Sequence, residues 1–163
     1  MRLATSSAGE TRRLGAAVAG VVRPGDLVLL AGDLGAGKTT FVQGFAPALG
    51  VTDRITSPTF TLLHHYEGPV QVIHADLYRL DRLQEVVDLG LTELVDGDAD
   101  TVAVVEWGDV AEAVLPADYL EIRISYADDD DDARRFTLRP VGPSWQARAS
   151  ALADATAEWK DAG

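Results

Sequence analysis

Apolar positions along the chain follow two spacings that alternate from the N-terminus onward. Residues 11–22 carry Leu14, Val18 and Val21 three or four positions apart, which is typical of one face of a helix. Residues 27–31 are apolar at every position, which indicates a short strand buried on both faces. Because helical and extended segments keep alternating, the pattern predicts an α/β domain with a mostly parallel sheet.

The remaining segments extend this alternation. We expect helices at residues 39–49, 80–89 and 144–159, with a further turn at 91–95. We expect strands at residues 59–66, 70–75, 101–105, 119–124 and 135–139. Apolar and polar residues alternate in the strand at 119–124, as in an edge or half-exposed strand, and the strand at 135–139 can pair with it.

Length and composition indicate one domain that lies outside the membrane. The chain has 163 residues, 47% of them hydrophobic, which is enough for one well-filled core. No run approaches the ~20 consecutive apolar residues of a membrane-spanning helix, and the first residues lack the apolar core of a secretory signal. Cysteine is absent, which excludes disulfides and thiolate sites. We expect a soluble, cytoplasmic protein.

The charge balance is strongly acidic. Twenty-six acidic residues against 14 Lys plus Arg give a formal charge of -12, which argues against a free-standing nucleic-acid binder. Residues 128–132 are five consecutive aspartates. Such a run predicts a solvated loop or disordered connection, here the tip of the hairpin, with contact to a basic partner protein as the alternative.

A glycine-rich motif carries the clearest chemistry. Residues 32–39 read Gly-Asp-Leu-Gly-Ala-Gly-Lys-Thr between the apolar run and a helical segment, the context a phosphate-binding loop (P-loop) requires. We expect Lys38 to reach the β- and γ-phosphates and the Thr39 hydroxyl to bind Mg²⁺. The motif predicts a P-loop NTPase-like, three-layer domain over residues 1–140, with a mostly parallel central sheet and an antiparallel edge. A C-terminal helix or tail, residues 141–163, can pack on it.

Lysine usage favours ATP as the nucleotide. Lys38 and Lys160 are the only lysines, and every other basic residue is an arginine. A compact ammonium fits between phosphates where a planar guanidinium does not. Guanine-selective P-loop proteins usually carry an Asn-Lys-x-Asp-type element, and neither lysine lies in such a context.

Two acids end predicted strands, where a P-loop enzyme needs a carboxylate. Glu106 follows the strand at 101–105, and Asp76 follows the strand at 70–75. We assign Glu106 to the metal because its strand is the more clearly apolar one. Asp76 is the alternative metal ligand or a water-orienting group, and for both the competing interpretation is a solvated acid at a strand end.

Hydroxyl and imidazole groups complete the candidate chemistry. Residues 57–61 read Ser-Pro-Thr-Phe-Thr, which predicts either a simple turn or a mobile loop that supplies a hydroxyl to Mg²⁺ or the γ-phosphate. His64 and His65 are consecutive in an extended segment and face opposite ways, so they cannot share a metal. We expect His74 to be a core or strand-end histidine rather than a catalytic base.

Four motifs in order resemble one family. They read Gly-Asp-Leu-Gly-Ala-Gly-Lys-Thr-Thr-Phe at 32–41, Thr-Ser-Pro-Thr-Phe-Thr-Leu at 56–62, His-Ala-Asp-Leu-Tyr-Arg-Leu at 74–80 and Val-Glu-Trp at 105–107. Their order and spacing closely resemble those of the TsaE (YjeE) family, over residues 11–126. The resemblance implies a slow ATPase that requires a heterodimer of a threonylcarbamoyl transferase and its inactive paralogue (TsaD and TsaB type). That complex modifies the adenosine next to the anticodon in tRNAs reading codons that begin with A, and this chain would meet tRNA only through it.

The resemblance also implies roles for individual residues. It assigns the nucleotide phosphates and metal to the loop and first helical turn, residues Gly35, Ala36, Gly37, Lys38, Thr39 and Thr40. It implies that Glu106 shares the Mg²⁺ site with Thr39, and that Asp76 belongs to the catalytic or nucleotide site. Thr59 would lie in the mobile loop, and Thr11, in the segment 8–11, would lie near the adenine.

Two other function classes stay open from the residues alone. A small-molecule or nucleotide kinase would share the P-loop, but kinases usually add an arginine-rich lid. Here Arg134 and Arg135 form the only adjacent arginine pair besides Arg12 and Arg13, which makes a lid doubtful. The third class is a nucleotide-binding module without useful turnover.

Overall fold

The computed structural model describes residues 1–58, 63–77, 83–88, 90, 93, 100–106, 115–127 and 130–161. Within these ranges the strands are β1 (Arg2–Thr5), β2 (Leu27–Ala31), β3 (Leu63–Tyr66), β4 (Gln71–Asp76), β5 (Thr101–Glu106), β6 (Tyr119–Ala127) and β7 (Asp130–Val141). The helices are α1 (Ala8–Ala19), α2 (Lys38–Ala48), α3 (Leu83–Asp88), α4 (Pro143–Ala147) and α5 (Ala149–Ala155), followed by a 3₁₀ turn (Ala157–Trp159). No helix among the described residues is both long and apolar enough to cross a membrane.

The strands form one seven-stranded sheet in the order β1-β7-β6-β2-β5-β4-β3. The central strands β6, β2, β5 and β4 pair in parallel. The outer pairs β1–β7, β7–β6 and β3–β4 are antiparallel. This confirms the predicted α/β fold with a mostly parallel centre, and antiparallel strands flank that centre on both sides.

The strand β6 departs from the edge position that its alternating pattern suggested. It lies inside the sheet, between β2 and β7. The polar residue responsible, Glu121, is 2% exposed because it is covered by two arginines. Arg123 Nε donates to its Oε1 at 2.7 Å, and Arg139 Nε donates to its Oε2. The edge interpretation is therefore wrong, while the half-exposed interpretation holds at Arg123, whose side chain is 56% exposed.

The core lies on both faces of the sheet. One cluster combines alternate residues of the central strands, such as Val28, Leu30 and Val104, with the buried faces of α1 and α2. A second cluster on the opposite face includes Leu29 and Val105. Burial on both faces explains why β2 and β5 read as continuous apolar runs.

Two glycines let α1 and α2 touch through their backbones. A Cβ built on Gly44 would lie 1.8 Å from the Arg12 carbonyl oxygen, and one built on Gly15 would lie 2.3 Å from that of Phe41. No side chain fits at either point. Because α2 begins at Lys38, this contact also fixes the end of the helix that adjoins the P-loop.

Helix α1 begins and ends three residues earlier than the pattern at 11–22 predicted. Ser7 caps it, since the Ser7 side chain accepts a hydrogen bond from the Glu10 N–H. The Ser6 backbone N–H and hydroxyl donate back to the Glu10 carboxylate, and they lower the pKa of Glu10. This reciprocal capping extends the N-terminus of the helix by residues 8–10, where no large apolar residue indicates a helix.

The C-terminal segment is not the single helix expected at 144–159. It breaks at Arg148 and Thr156 into α4, α5 and the 3₁₀ turn. Arg148 Nε donates to the Ser144 carbonyl oxygen, and the Arg148 backbone N–H donates to that of Trp145. The same guanidinium forms a two-pronged ion pair with Asp26, at 2.6 and 2.8 Å.

Several segment predictions are only partly covered by the described residues. The first four residues of the strand expected at 59–66 lie outside them, as do the ends of the helix expected at 80–89. Of the turn expected at 91–95, only Glu93 is described. In the aspartate run, residues 130–132 are exposed and begin β7 rather than forming a loop. Trp145, Leu152 and Trp159 of the tail join the main core, while the domain boundary at residue 140 stays a prediction.

We predict that Gly44→Ala lowers the free energy of unfolding by about 1–3 kcal/mol, because the new methyl group forces the two helices apart. The matched control is Gly9→Ala in α1, where a Cβ meets nothing closer than 3.7 Å. Alanine favours helix by up to about 1 kcal/mol, so that variant should be neutral or slightly stabilised. Urea unfolding of both variants measures the difference. Equal stability of the two would contradict the close-contact interpretation.

Candidate functional site

The loop between β2 and α2 curls through two left-handed glycines. Gly35 has φ 79° and Gly37 has φ 110°, conformations in which an L side chain is strained. Gly37 is the N-cap of α2, which has neither a side-chain cap nor an acidic residue in its first turn. The positive end of the helix dipole is therefore left for an external anion.

The loop forms the floor of a cavity of about 240 Å³. Its lining combines loop and α2 residues with groups from elsewhere in the chain: Gly32, Leu34, Gly35, Gly37, Lys38, Thr39, Thr40, Ser57, Asp76 and Glu106. Most of the site residues that the sequence predicted are thus brought together at one place.

The Lys38 side chain folds across the mouth of the loop. Its Nζ donates to the carbonyl oxygens of Gly32 at 2.6 Å and Asp33 at 3.1 Å. An ammonium has three donors, so at least one further hydrogen bond can go to a ligand in the cavity. The ammonium is therefore held where it can attract an anion bound in the curl.

Asp76 and Glu106 face the same cavity from neighbouring strands. The parallel register of β4 and β5 pairs them directly, and they are 5% and 4% exposed. Within the part of the chain that the structure describes, no three His, Cys, Asp or Glu side chains form a complete metal site. The Thr39 hydroxyl and these carboxylates are nevertheless the hard oxygen donors that Mg²⁺ takes when phosphates and water supply its other ligands.

A buried histidine orients one of these acids. His74 Nε2 lies 3.0 Å from Glu106 Oε1, and the histidine is fully buried. A carboxylate oxygen can only accept, so Nε2 carries the proton. The burial of His74 agrees with the sequence-based expectation, whereas its bond to Glu106 was not predicted. The available signal was that His74 stands two positions before Asp76 and shares its face of the strand.

Two predicted residues do not line the cavity, and a third is not among the described residues. Thr11 is 1% exposed, its hydroxyl pairs with that of Thr5 at 2.9 Å, and it is absent from the cavity lining. Ala36, a residue of the loop itself, is buried and does not line the cavity. Thr59 lies outside the described residues. The roles of all three in nucleotide binding stay predictions.

The hairpin of β6 and β7 touches the loop from outside the cavity. Tyr126 and Arg134 each hydrogen-bond to a loop carbonyl. From the sequence, Arg134 was expected at most in a doubtful kinase lid, and Tyr126 had no expected role. Nothing in the local sequence links either residue to the P-loop, because the contact depends on how the sheet folds.

Comparisons with known proteins agree with this geometry. A family model described as threonylcarbamoyl adenosine biosynthesis protein TsaE matches residues 5–136. The tRNA threonylcarbamoyladenosine biosynthesis protein TsaE of Bacillus subtilis is 42% identical over 138 residues, covering 84% of each chain. That of Streptomyces coelicolor is 41% identical over 141 residues, covering 82% of this chain and 93% of the relative.

Structure comparison leads to the same group. The crystal structure of YdiB from Bacillus subtilis superposes with a TM-score of 0.79 at 35% identity, covering 94% of both chains. The P-loop, the paired strand-end acids and the match over most of the chain agree. The chain belongs to the TsaE family of threonylcarbamoyl adenosine biosynthesis proteins.

Proposed function

We propose that this chain is a Mg²⁺-dependent ATPase that serves threonylcarbamoyladenosine modification of tRNA. The family to which it belongs is named for that pathway. The observation that carries the enzymatic part is the cavity in which Lys38 and Thr39 face Asp76 and Glu106. A loop that only held a nucleotide would not require two buried carboxylates opposite the phosphates.

The loop would bind the triphosphate. Backbone N–H groups of the curl and the amino end of α2 would hold the phosphate oxygens, and Lys38 would neutralise the β- and γ-phosphates. Thr39 and Glu106 would hold Mg²⁺. The ion would supply Lewis-acid stabilisation of the negative charge that develops on the phosphate oxygens.

Hydrolysis would proceed by in-line attack of water on the γ-phosphorus. The water oxygen forms the new bond while the bond to the β–γ bridging oxygen breaks, which releases ADP and inorganic phosphate, and the water proton passes to solvent. Asp76 lies next to Glu106 in the register and would orient the water. Lys38 would stabilise the charge on the leaving oxygens.

The partners in this proposal are the threonylcarbamoyl transferase and its inactive paralogue, the TsaD- and TsaB-type heterodimer. With a formal charge of -12, the chain is poorly suited to hold a tRNA backbone alone, so tRNA would be bound mainly by the heterodimer. A cytoplasmic location follows from the same proposal. We propose ATP rather than GTP because neither lysine lies in the Asn-Lys-x-Asp-type element that guanine-selective P-loop proteins usually carry.

We predict that Lys38→Ala loses ATP and ADP binding by at least about 100-fold, because an ammonium hydrogen-bonded to phosphate is removed from a partly desolvated site. The matched control is Lys160→Ala, which removes the only other lysine, at a β-bridge with Leu3. Its binding should equal that of the wild type. Calorimetric titration with each nucleotide measures both.

The same pair of variants tests the pathway role. With purified heterodimer, tRNA, threonylcarbamoyl donor and ATP, Lys160→Ala should support multiple-turnover tRNA modification and Lys38→Ala should not. Modification by Lys38→Ala at the wild-type rate would overturn the proposal. Transfer of phosphate to a nucleoside monophosphate well above the rate of transfer to water would instead favour the kinase class.

We predict that Glu106→Gln lowers Mg²⁺-dependent hydrolysis by at least about 100-fold. The variant keeps an oxygen for His74 but removes the charge. Loss of an outer-shell partner costs up to about 100-fold, and a residue that holds the metal should matter at least as much. ADP binding without Mg²⁺ should remain. Glu67→Gln, on an exposed residue, is the matched control. Phosphate release as a function of Mg²⁺ concentration is the measurement, and an unchanged Mg²⁺ response would remove Glu106 from the metal site.

A further inference from the structure

The outer side of the P-loop is held by two side chains of the β6–β7 hairpin. Arg134 Nε donates to the Ala36 carbonyl oxygen at 2.9 Å, and the Tyr126 hydroxyl donates to that of Leu34 at 3.3 Å. Neither residue lines the cavity. Their donors therefore reach the loop from residues outside the cavity lining.

A peptide plane links each of these carbonyls to a cavity glycine. In a trans peptide the C=O of one residue and the N–H of the next point in opposite directions. A hydrogen bond that holds the Ala36 carbonyl outward therefore turns the Gly37 N–H inward. By the same geometry, the bond to Leu34 turns the Gly35 N–H inward, and both glycines line the cavity.

The hairpin side chains are themselves held by further contacts within the protein. The Arg134 guanidinium lies 4.5 Å from the centre of the Tyr126 ring, and its Nη1 donates to the carbonyls of Asp131 and Ala133. Steric contact adds to this, since a Cβ built on Gly35 would lie 2.8 Å from the Tyr126 hydroxyl. Glycine at that position lets the hairpin approach.

We infer that Arg134, supported by Tyr126, is a positioning residue for nucleotide binding. It holds the Ala36–Gly37 peptide so that the loop presents its N–H groups to phosphate, without touching the nucleotide. Without this bond the glycine peptide would sample more orientations. The entropy lost when phosphate orders it would then weaken the affinity for the nucleotide. The inference rests on the proposed nucleotide site and adds the device that prepares it.

The test compares Arg134→Gln with Arg134→Met. Glutamine Nε2 and methionine Cε occupy the position of arginine Nε along the side chain, so both variants lose the charge and only glutamine keeps a donor for Ala36. Affinities for Mg²⁺-ADP and for Mg²⁺-pyrophosphate are measured by calorimetry. We expect methionine to bind both ligands about tenfold more weakly than glutamine, the effect of one hydrogen bond. Tyr126→Phe should show a smaller loss of the same kind, and Arg135→Met, the adjacent exposed arginine, should show none.

Two results of the binding measurements would count against the inference. Equal affinities of the glutamine and methionine variants would mean that a donor at this position has no effect on binding. A loss confined to ADP, with pyrophosphate unaffected, would mean that Arg134 contacts the nucleoside. Equal melting temperatures of the two variants, which we expect, separate loop positioning from general stability. If the wild-type chain bound neither ligand, the proposed function itself would fail, which is a distinct outcome.

Discussion

The parallel pairing of β2, β5 and β4 is the constraint on which the rest of the site depends. Its register puts Leu30 beside Glu106, and Glu106 beside Asp76. Because parallel strands end at the same edge, the loop that leaves β2 opens next to both acids. The phosphate loop and the carboxylates are far apart in sequence, and this ladder alone makes them one site.

The edge gathers opposite charges around one cavity. Two carboxylates that are almost wholly buried need partners to offset their desolvation. His74 supplies one by donating to Glu106, and the loop contributes the Lys38 ammonium and the amino end of α2. A nucleotide with a divalent cation suits this site because its phosphates match the loop and its cation matches the carboxylates.

The local sequence predicted the central strands and the P-loop correctly, and it predicted the position of β6 and the C-terminal segment incorrectly. The strands at 27–31 and 101–105 were clear because burial on both faces leaves continuous apolar runs, and the P-loop motif fixed Lys38 and Thr39. The hydrophobic pattern gave wrong predictions where polar side chains are paired in the interior. Glu121 gave an internal strand the pattern of an edge strand. The predicted C-terminal helix is interrupted at Arg148, whose side chain pairs with Asp26. The contacts of His74 and Arg134 depend on strand order, which no local pattern contains.

The most direct measurement is a crystal structure of this chain with Mg²⁺ and a non-hydrolysable ATP analogue. We predict that the triphosphate lies in the curl of residues 32–39, with Lys38 Nζ on its β- and γ-phosphate oxygens. We expect the ion between those oxygens, the Thr39 hydroxyl and the Glu106 carboxylate. Phosphates bound away from this loop, or an ion that neither Thr39 nor Glu106 contacts, would contradict it.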